Sequence, residues 1–301
     1  MIHNQCFVRG SGHTPIVPPN RRTHRIMADD GLEALDGSRD AALNRAAGTQ
    51  PMLYRSGAAR FNTRPFVKNE ILTRISLQDL GAIGEFLEPI VLRERMVLQE
   101  PKRGLDHVYF IESGLVSLRI VAAGSILETA VIGRRGAVGA SFLVGGHLST
   151  RQSVVLFPGS AHRIRIEDLQ RVMHKHPDVR EHLLQYVQAL NLHCAQTGLC
   201  GVRHDREKRL ACWLCLASDA LDAGVLPVTH DYLSSVLGLR RAGVTETLIR
   251  FEEQRVIRKT RGVLHIDERR YLEQKACSCY KLISGAYASI EAATSAIELP
   301  G

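Results

Sequence analysis

In the stretch HDYLSSVLGLRRAGVTETLIRFEEQRVI, residues 230–257, apolar positions recur at helical spacing in two runs. Leu233, Val236 and Leu237 give the first run one apolar face. Val244, Leu248 and Phe251 do the same for the second, at i, i+4 and i+7. Gly238 supplies a turn between them. Helices with one apolar face each pack across one another, so the pattern predicts a helix-turn-helix. The opposite face of the second helix carries Ala242, Thr245, Glu246 and Ile249, with Arg240 and Arg241 at its N-terminal end. Short or polar side chains flanked by cations suit a helix end that enters a major groove. Beyond it, VIRKTRGVLHID alternates as two short strands around Lys259, Thr260, Arg261 and Gly262, a hairpin wing with a basic tip.

Upstream the period changes. Ser76-Leu-Gln-Asp79 resembles a capping box, and Leu77, Leu80, Ile83 and Leu87 form one helical face. Short alternating runs follow: PIVLRERMVL, HVYFIE, LVSLRIV, ILETAVI, FLV, SVVLF and AHRIRI, separated by turn signals such as Ser113-Gly114, Gly145-Gly146 and Pro158-Gly159. Such runs predict an all-β sandwich or barrel. Helix resumes at Ile166. After Pro177, the residues Val179, Leu183, Tyr186, Leu190, His193 and Thr197 recur in alternating steps of four and three, an a/d seam. Such a seam packs on its own β-domain or pairs with a second copy. Pairing is the favoured expectation, because two-fold symmetry lengthens the site a DNA reader covers. A further helix over 206–222 turns Leu210, Trp213, Leu214 and Ala217 inward. The small-residue-rich tail after Tyr280 is expected to be peripheral. Residues 1–65, with Pro15, Pro18 and Pro19 and weak periodicity, read as a mobile arm with an optional short helix at 31–47. Met27 and Met52 are alternative starts to Met1.

The order of these parts resembles the Crp–Fnr family of bacterial transcription regulators. HVYFIESGLVSLRI followed by GRRGAVGASFL looks like that family's effector-domain core, and LPVTHDYLSSVLGLRRAGVTETL looks like its DNA-reading motif. The resemblance covers about residues 66–285. It implies an α+β chain: a jelly-roll domain of the cyclic-nucleotide-binding type at 66–176, a dimerisation helix at 177–204, a winged helix-turn-helix at 205–285 and a tail at 286–301. The implied protein is a homodimer on a palindromic double-stranded DNA site, with RNA polymerase a further candidate partner. Its implied DNA-binding set is Thr229, His230, Arg240, Arg241, Ala242, Gly243, Thr245, Glu246, Lys259 and Arg261. Its implied dimer interface is the seam above.

Two departures qualify the resemblance. Cyclic-nucleotide binders of the family place a glutamate near a Gly-rich turn for the ribose and an arginine downstream for the phosphate. The matching turn here is Gly136-Ala-Val-Gly139, with Ala137 where the acid belongs, and no acidic residue occurs from 137 to 153. Gly136, Gly139 and Arg151 remain the candidate effector contacts, but cyclic AMP is not expected to bind. Well-known members also read bases with a glutamate and an arginine four residues on. Ala242 and Glu246 occupy those positions, so a different half-site is expected.

The 301 residues suffice for two domains with cores of their own. A formal charge of +8 suits a polyanionic partner, and its distribution says more. Seven cations face three acids between Arg240 and Arg261, on the elements proposed to meet phosphate. No apolar run is long enough to span a bilayer and no signal-like segment opens the chain, so the expected location is cytoplasmic and no membrane partner is expected. Seven cysteines in a chain of this size read as reduced thiols. Cys212-Trp-Leu-Cys215 and Cys277-Ser-Cys279 raise the question of zinc or an iron–sulfur cluster. The pairs lie far apart without knuckle turns, so no metal and no cofactor are expected. An oxygen-sensing cluster of the Fnr type is not expected either, since Cys6 is alone in the arm. Gly133-Arg-Arg-Gly136 lacks the ending of a phosphate loop, and neither a nucleophile elbow nor an HExxH motif occurs. No catalytic set is expected. The alternative function is a thiol or small-molecule sensor with the same DNA-binding domain.

Overall fold

A computed structural model of the chain describes residues 67–297, apart from residue 123. The expected arm, with Cys6, Met27 and Met52, lies outside the described residues. Two short helices, α1 (Glu70–Arg74) and α2 (Leu77–Gly84), lead into the sheet. Buried Asn69 caps α1 by accepting from the N–H groups of Ile71 and Leu72. Its Nδ2 donates to the carbonyls of Ile111 at 2.9 Å and Gly136 at 2.8 Å, which fixes the helix to the sheet. Ser76 caps α2 by accepting from the Asp79 N–H at 3.1 Å, as its spacing predicts.

The sheet holds β1 (Glu88–Leu92), β2 (Val97–Gln99), β3 (His107–Ala122), β4 (Ser125–Ile132), β5 (Ala137–Val138) and β6 (Gln152–Arg165). All pairings are antiparallel in the order β1-β6-β3-β4, with β2 added to β6 and β5 to β3. Runs that read as separate strands are continuous here: HVYFIE and LVSLRIV form β3, and SVVLF and AHRIRI form β6. The two dipeptides taken for turns are facing irregularities instead. Gly114 takes φ +86, and a Cβ on Gly159 would stand 2.2 Å from the Ser113 carbonyl oxygen. Glycine thus lets two backbones cross closely without ending either strand. The FLV run is not a strand. It belongs to a 3₁₀ turn, Ala140–Val144, bounded by left-handed Gly139 and Gly145.

Helices α3 (Ile166–Lys175) and α4 (Pro177–Arg203) follow, the latter with Pro177 in its first turn. Val179, Leu183 and Tyr186 are buried within the chain, in a core shared with Phe110, Ala137 and Leu169. Leu190 packs partly against the same core, His193 is buried and Thr197 is half-buried. This corrects the expectation that the seam waits for a second copy. Periodicity reveals that one side of a helix is apolar; it does not say what covers that side.

The C-terminal part runs α5 (Arg206–Leu221), β7 (Val225–Leu226), α6 (His230–Leu237), α7 (Arg241–Glu253), β8 (Ile257–Thr260), β9 (Val263–Ile266), α8 (Arg269–Lys275) and α9 (Ser278–Ile297). A second small sheet pairs β7-β9-β8. Leu233, Val236, Val244, Leu248 and Phe251 are buried together with Leu210 and Leu214 of α5. Burying a side chain of this size stabilises by roughly 1.5–3 kcal/mol, so the two helices are held by their apolar faces.

Leu115, Val131 and Phe157 of the large sheet belong to that same core. At this joint the Glu128 carboxylate is buried and accepts hydrogen bonds from Ser117 Oγ, from Trp213 Nε1 at 2.5 Å and from the Tyr232 hydroxyl at 2.7 Å. The Arg134 N–H donates to the Ala220 carbonyl at 3.1 Å, and the side chain of Arg134 pairs with Asp222 at 3.2 Å. The tail expectation needs correcting as well. Ile283 is buried, and Tyr287 packs against Tyr186 and hydrogen-bonds His193 at 3.2 Å, so α9 lies along α4 as part of the core.

Candidate DNA-binding interface

The helix-turn-helix is built as its pattern implies. Thr229 caps α6, its Oγ1 accepting from the Tyr232 N–H at 3.1 Å. Gly238 ends that helix in the left-handed conformation at φ +58, where a side chain is resisted. Ser234 Oγ then donates to the Leu239 carbonyl at 2.7 Å, and α7 begins two residues later. The buried face of α7 leaves Arg240, Arg241, Ala242, Glu246 and Ile249 exposed. All but Ile249, in the third turn, lie on or just before its first two turns, the part of such a helix that can approach base edges.

Electrostatic contacts organise that face. Arg241 Nε pairs with Asp231 at 2.5 Å, and both side chains are largely exposed. Glu246 pairs with Arg206 of α5 at 3.0 Å. Exposed pairs are worth about 0–1 kcal/mol, so either is readily exchanged for a nucleic-acid contact. Thr245 Oγ1 and His230 Nδ1 are hydrogen-bonded at 2.9 Å. Partial burial, followed by the charges of Lys259 and Arg241, lowers the His230 pKa below its ordinary value. Gly243 is buried, and a Cβ there would stand 2.4 Å from Arg206 Nη1. The glycine seats Arg206, which in turn holds Glu246. Arg206 and Asp231 were not singled out in the sequence, because neither contact has a local signature.

In the wing, β8 and β9 pair from Ile257↔Ile266 to Thr260↔Val263, leaving Arg261 and Gly262 at the turn. Gly262 takes φ +75. Arg261 is exposed and has no ion pair among the described residues. Lys259 differs: its Nζ meets Glu252 Oε2 at 2.8 Å, and its N–H donates to Glu252 Oε1 at 3.0 Å. Those bonds hold the Glu252 pKa below the usual carboxylate value.

The other candidates sit elsewhere. A Cβ on Gly136 would meet Tyr186 Oη at 2.8 Å, and one on Gly139, at φ +99, would meet the His107 carbonyl at 2.5 Å. The Tyr186 hydroxyl donates to the Ala137 carbonyl at 2.8 Å, so the turn is covered by α4. Arg151 is half-buried next to a turn in which Ser149 Oγ donates to its carbonyl at 2.5 Å. The set is therefore partly closed by the chain's own side chains. The cysteines are not scattered. Cys200 Sγ and Cys277 Sγ lie 3.4 Å apart, and Cys279 Sγ lies 3.6 Å from His204 Nδ1. Hydrogen bonds from Cys200 and Cys212 lower the pKa of the Cys277 thiol.

Residues 208–275 match a family described as the Crp-like helix-turn-helix domain. Solved structures share the fold across most of the described chain. FixK2 from Bradyrhizobium japonicum aligns at 16% identity and a TM-score of 0.56, covering 64% of this chain and 98% of that one. A regulator assigned to the Crp/Fnr family from Eubacterium rectale aligns at 14% identity and a TM-score of 0.52, covering 69% and 97%. A transcriptional regulator of the CRP/FNR family from Thermus thermophilus aligns at 20% identity and a TM-score of 0.51, covering 63% and 98%. No curated protein matches by sequence.

Proposed function

We propose that this chain, in which residues 208–275 match the Crp-like helix-turn-helix domain and the fold is shared with solved regulators of the Crp–Fnr family, is a transcription regulator of that family and acts as a homodimer on a two-fold symmetric DNA site. The observation that carries this reading is the exposed N-terminal half of α7, with Arg240, Arg241 and Glu246 presented on a rigid apolar base. Arg241 is assigned to a guanine and Glu246 to a cytosine amino group, while Lys259 and Arg261 of the wing meet phosphate. The N-terminal domain is read as a jelly-roll that transmits a signal or supports the dimer, with RNA polymerase a further partner.

The second copy is assigned to the outer side of α4. Leu192, Leu199 and Val202 are exposed there and, with Ala195, recur in steps of three and four. No helix among the described residues is long and apolar enough to cross a membrane. Cyclic AMP is not the effector in this reading. Ala137 is buried, and Tyr186 occupies the approach to its turn. The test is a gel shift with the full chain at two salt concentrations, with and without cyclic AMP. Salt-sensitive, sequence-selective retardation unchanged by the nucleotide is expected. Binding that appears only with cyclic AMP would contradict the effector reading. The absence of any sequence preference would contradict the whole.

A further inference from the structure

Three segments bring soft ligand atoms to one place at the joint between α4 and the C-terminal part. The end of α4 gives Cys200 in its last turn and His204 as the extended residue that caps it, held by the His204 N–H donating to the Cys200 carbonyl at 3.2 Å. The start of α9 gives Cys277, in the turn just before the helix, and Cys279, in its first turn. Their four ligand atoms all lie within 4.8 Å of one another. The three thiols are buried and the imidazole is half-buried. Cys212 of α5 is also buried against this group.

We propose that Cys200, His204, Cys277 and Cys279 form a tetrahedral site for a single zinc ion. Zinc bonds to sulfur at about 2.3 Å and to imidazole nitrogen at about 2.0–2.1 Å, which puts neighbouring ligand atoms about 3.5–3.8 Å apart. The observed edges of 3.4 Å for Cys200 to Cys277 and 3.6 Å for Cys279 to His204 approach that figure. Buried cysteine commonly behaves as a small apolar residue, whereas here two thiols meet one another and a third meets an imidazole nitrogen. The spread of 4.8 Å suits one ion. An iron–sulfur cluster distributes its thiolates over several irons and needs a wider cage. Three sulfurs and one nitrogen, with no carboxylate, select zinc over magnesium, calcium or manganese. Binding releases the thiol protons and leaves the oxidation states of metal and sulfur unchanged.

The consequence is mechanical. The ion joins the last turn of α4 to the start of α9, the two helices that lie along one another beneath the DNA-binding part. Occupancy therefore sets how firmly that part is seated. This goes beyond the DNA-binding reading and stands or falls separately from it.

The experiment uses the untagged full chain, expressed with added zinc and purified without chelator. Elemental analysis is expected to give about one zinc per chain. Cobalt(II) added to the stripped protein is expected to give the thiolate charge-transfer band and the intense visible bands of a tetrahedral site. His204→Gln and Cys279→Ser are each expected to weaken zinc binding at least ten-fold, whereas Cys194→Ser, outside the ligand group, keeps it. Should Cys279→Ser fail to fold, His204→Gln, at a half-buried position, carries the test. Less than a tenth of an equivalent of zinc together with no cobalt bands would overturn the proposal. A Cys200–Cys277 disulfide in the freshly isolated, metal-free chain would do the same.

Discussion

The outer face of α7 and the joint between the sheet and the helical part use polar residues in opposite ways. On α7, Arg241 and Glu246 hold exposed single ion pairs with Asp231 and Arg206. Water competes for each, and breaking one costs about 0–1 kcal/mol. At the joint, Glu128 is buried and accepts from Ser117, Trp213 and Tyr232, two of which belong to the helical part. Removing that acceptor leaves buried donors unmet, at about 1–3 kcal/mol apiece. A surface that trades partners with DNA needs the first kind of contact. A joint that holds two parts in register needs the second.

The joint is therefore where substitutions should act most strongly on stability. Glu128→Ala is expected to lower stability by several times about 1 kcal/mol. The chain has one tryptophan, so the emission of Trp213 reports this site alone. A red shift with loss of Tm is the expected result, and an unchanged spectrum would mean that the carboxylate does not hold the joint.

Acid and base should act on the joint in opposite senses. Burial lowers the pKa of His193 to about 4. The unfolded chain thus takes its proton more readily than the fold does. Stability from this group is complete above the ordinary histidine value and is lost as pH falls toward 4, by about 3 kcal/mol. His193→Gln should flatten that acid limb in denaturant midpoints measured from pH 7 to 4. Burial raises the pKa of Glu128, so its contribution is full at low pH and weakens as pH rises through the raised value.

Smaller effects belong to the α7 face and the wing, and they should appear in binding rather than in Tm. Arg241→Ala is expected to cost about 1–3 kcal/mol on the preferred site and little on unrelated DNA. Arg261→Ala should weaken both and lower the salt slope by about one phosphate contact. Lys259→Ala should do less, because Glu252 already engages that ammonium. Equal losses for Arg241→Ala on both kinds of DNA would remove α7 from the groove.

The same contrast explains what the sequence disclosed. The pattern of the helix-turn-helix is local: Leu233 to Phe251 repeat at helical steps and Gly238 marks the turn, although the core that covers those residues draws on α5 and the large sheet as well. The joint is not. Glu128 meets Tyr232 across 104 positions and Cys200 meets Cys277 across 77, distances at which spacing carries no signal. The seam on α4 was visible as a stripe, but its cover was not, since a partner helix and an adjacent sheet select the same apolar residues. Ser113-Gly114 and Pro158-Gly159 look like turns for a related reason. The glycines that end a strand also permit two strands to cross closely.

The most direct test of the reading helix is a random-library selection with the full chain and, in parallel, with Arg241→Ala. The account predicts an inverted repeat with half-sites about one helical turn apart, or a multiple of it. It also predicts that Arg241→Ala loses preference at one guanine in each half-site and keeps the spacing. A selected sequence without two-fold symmetry, or one that Arg241→Ala selects unchanged, would contradict it.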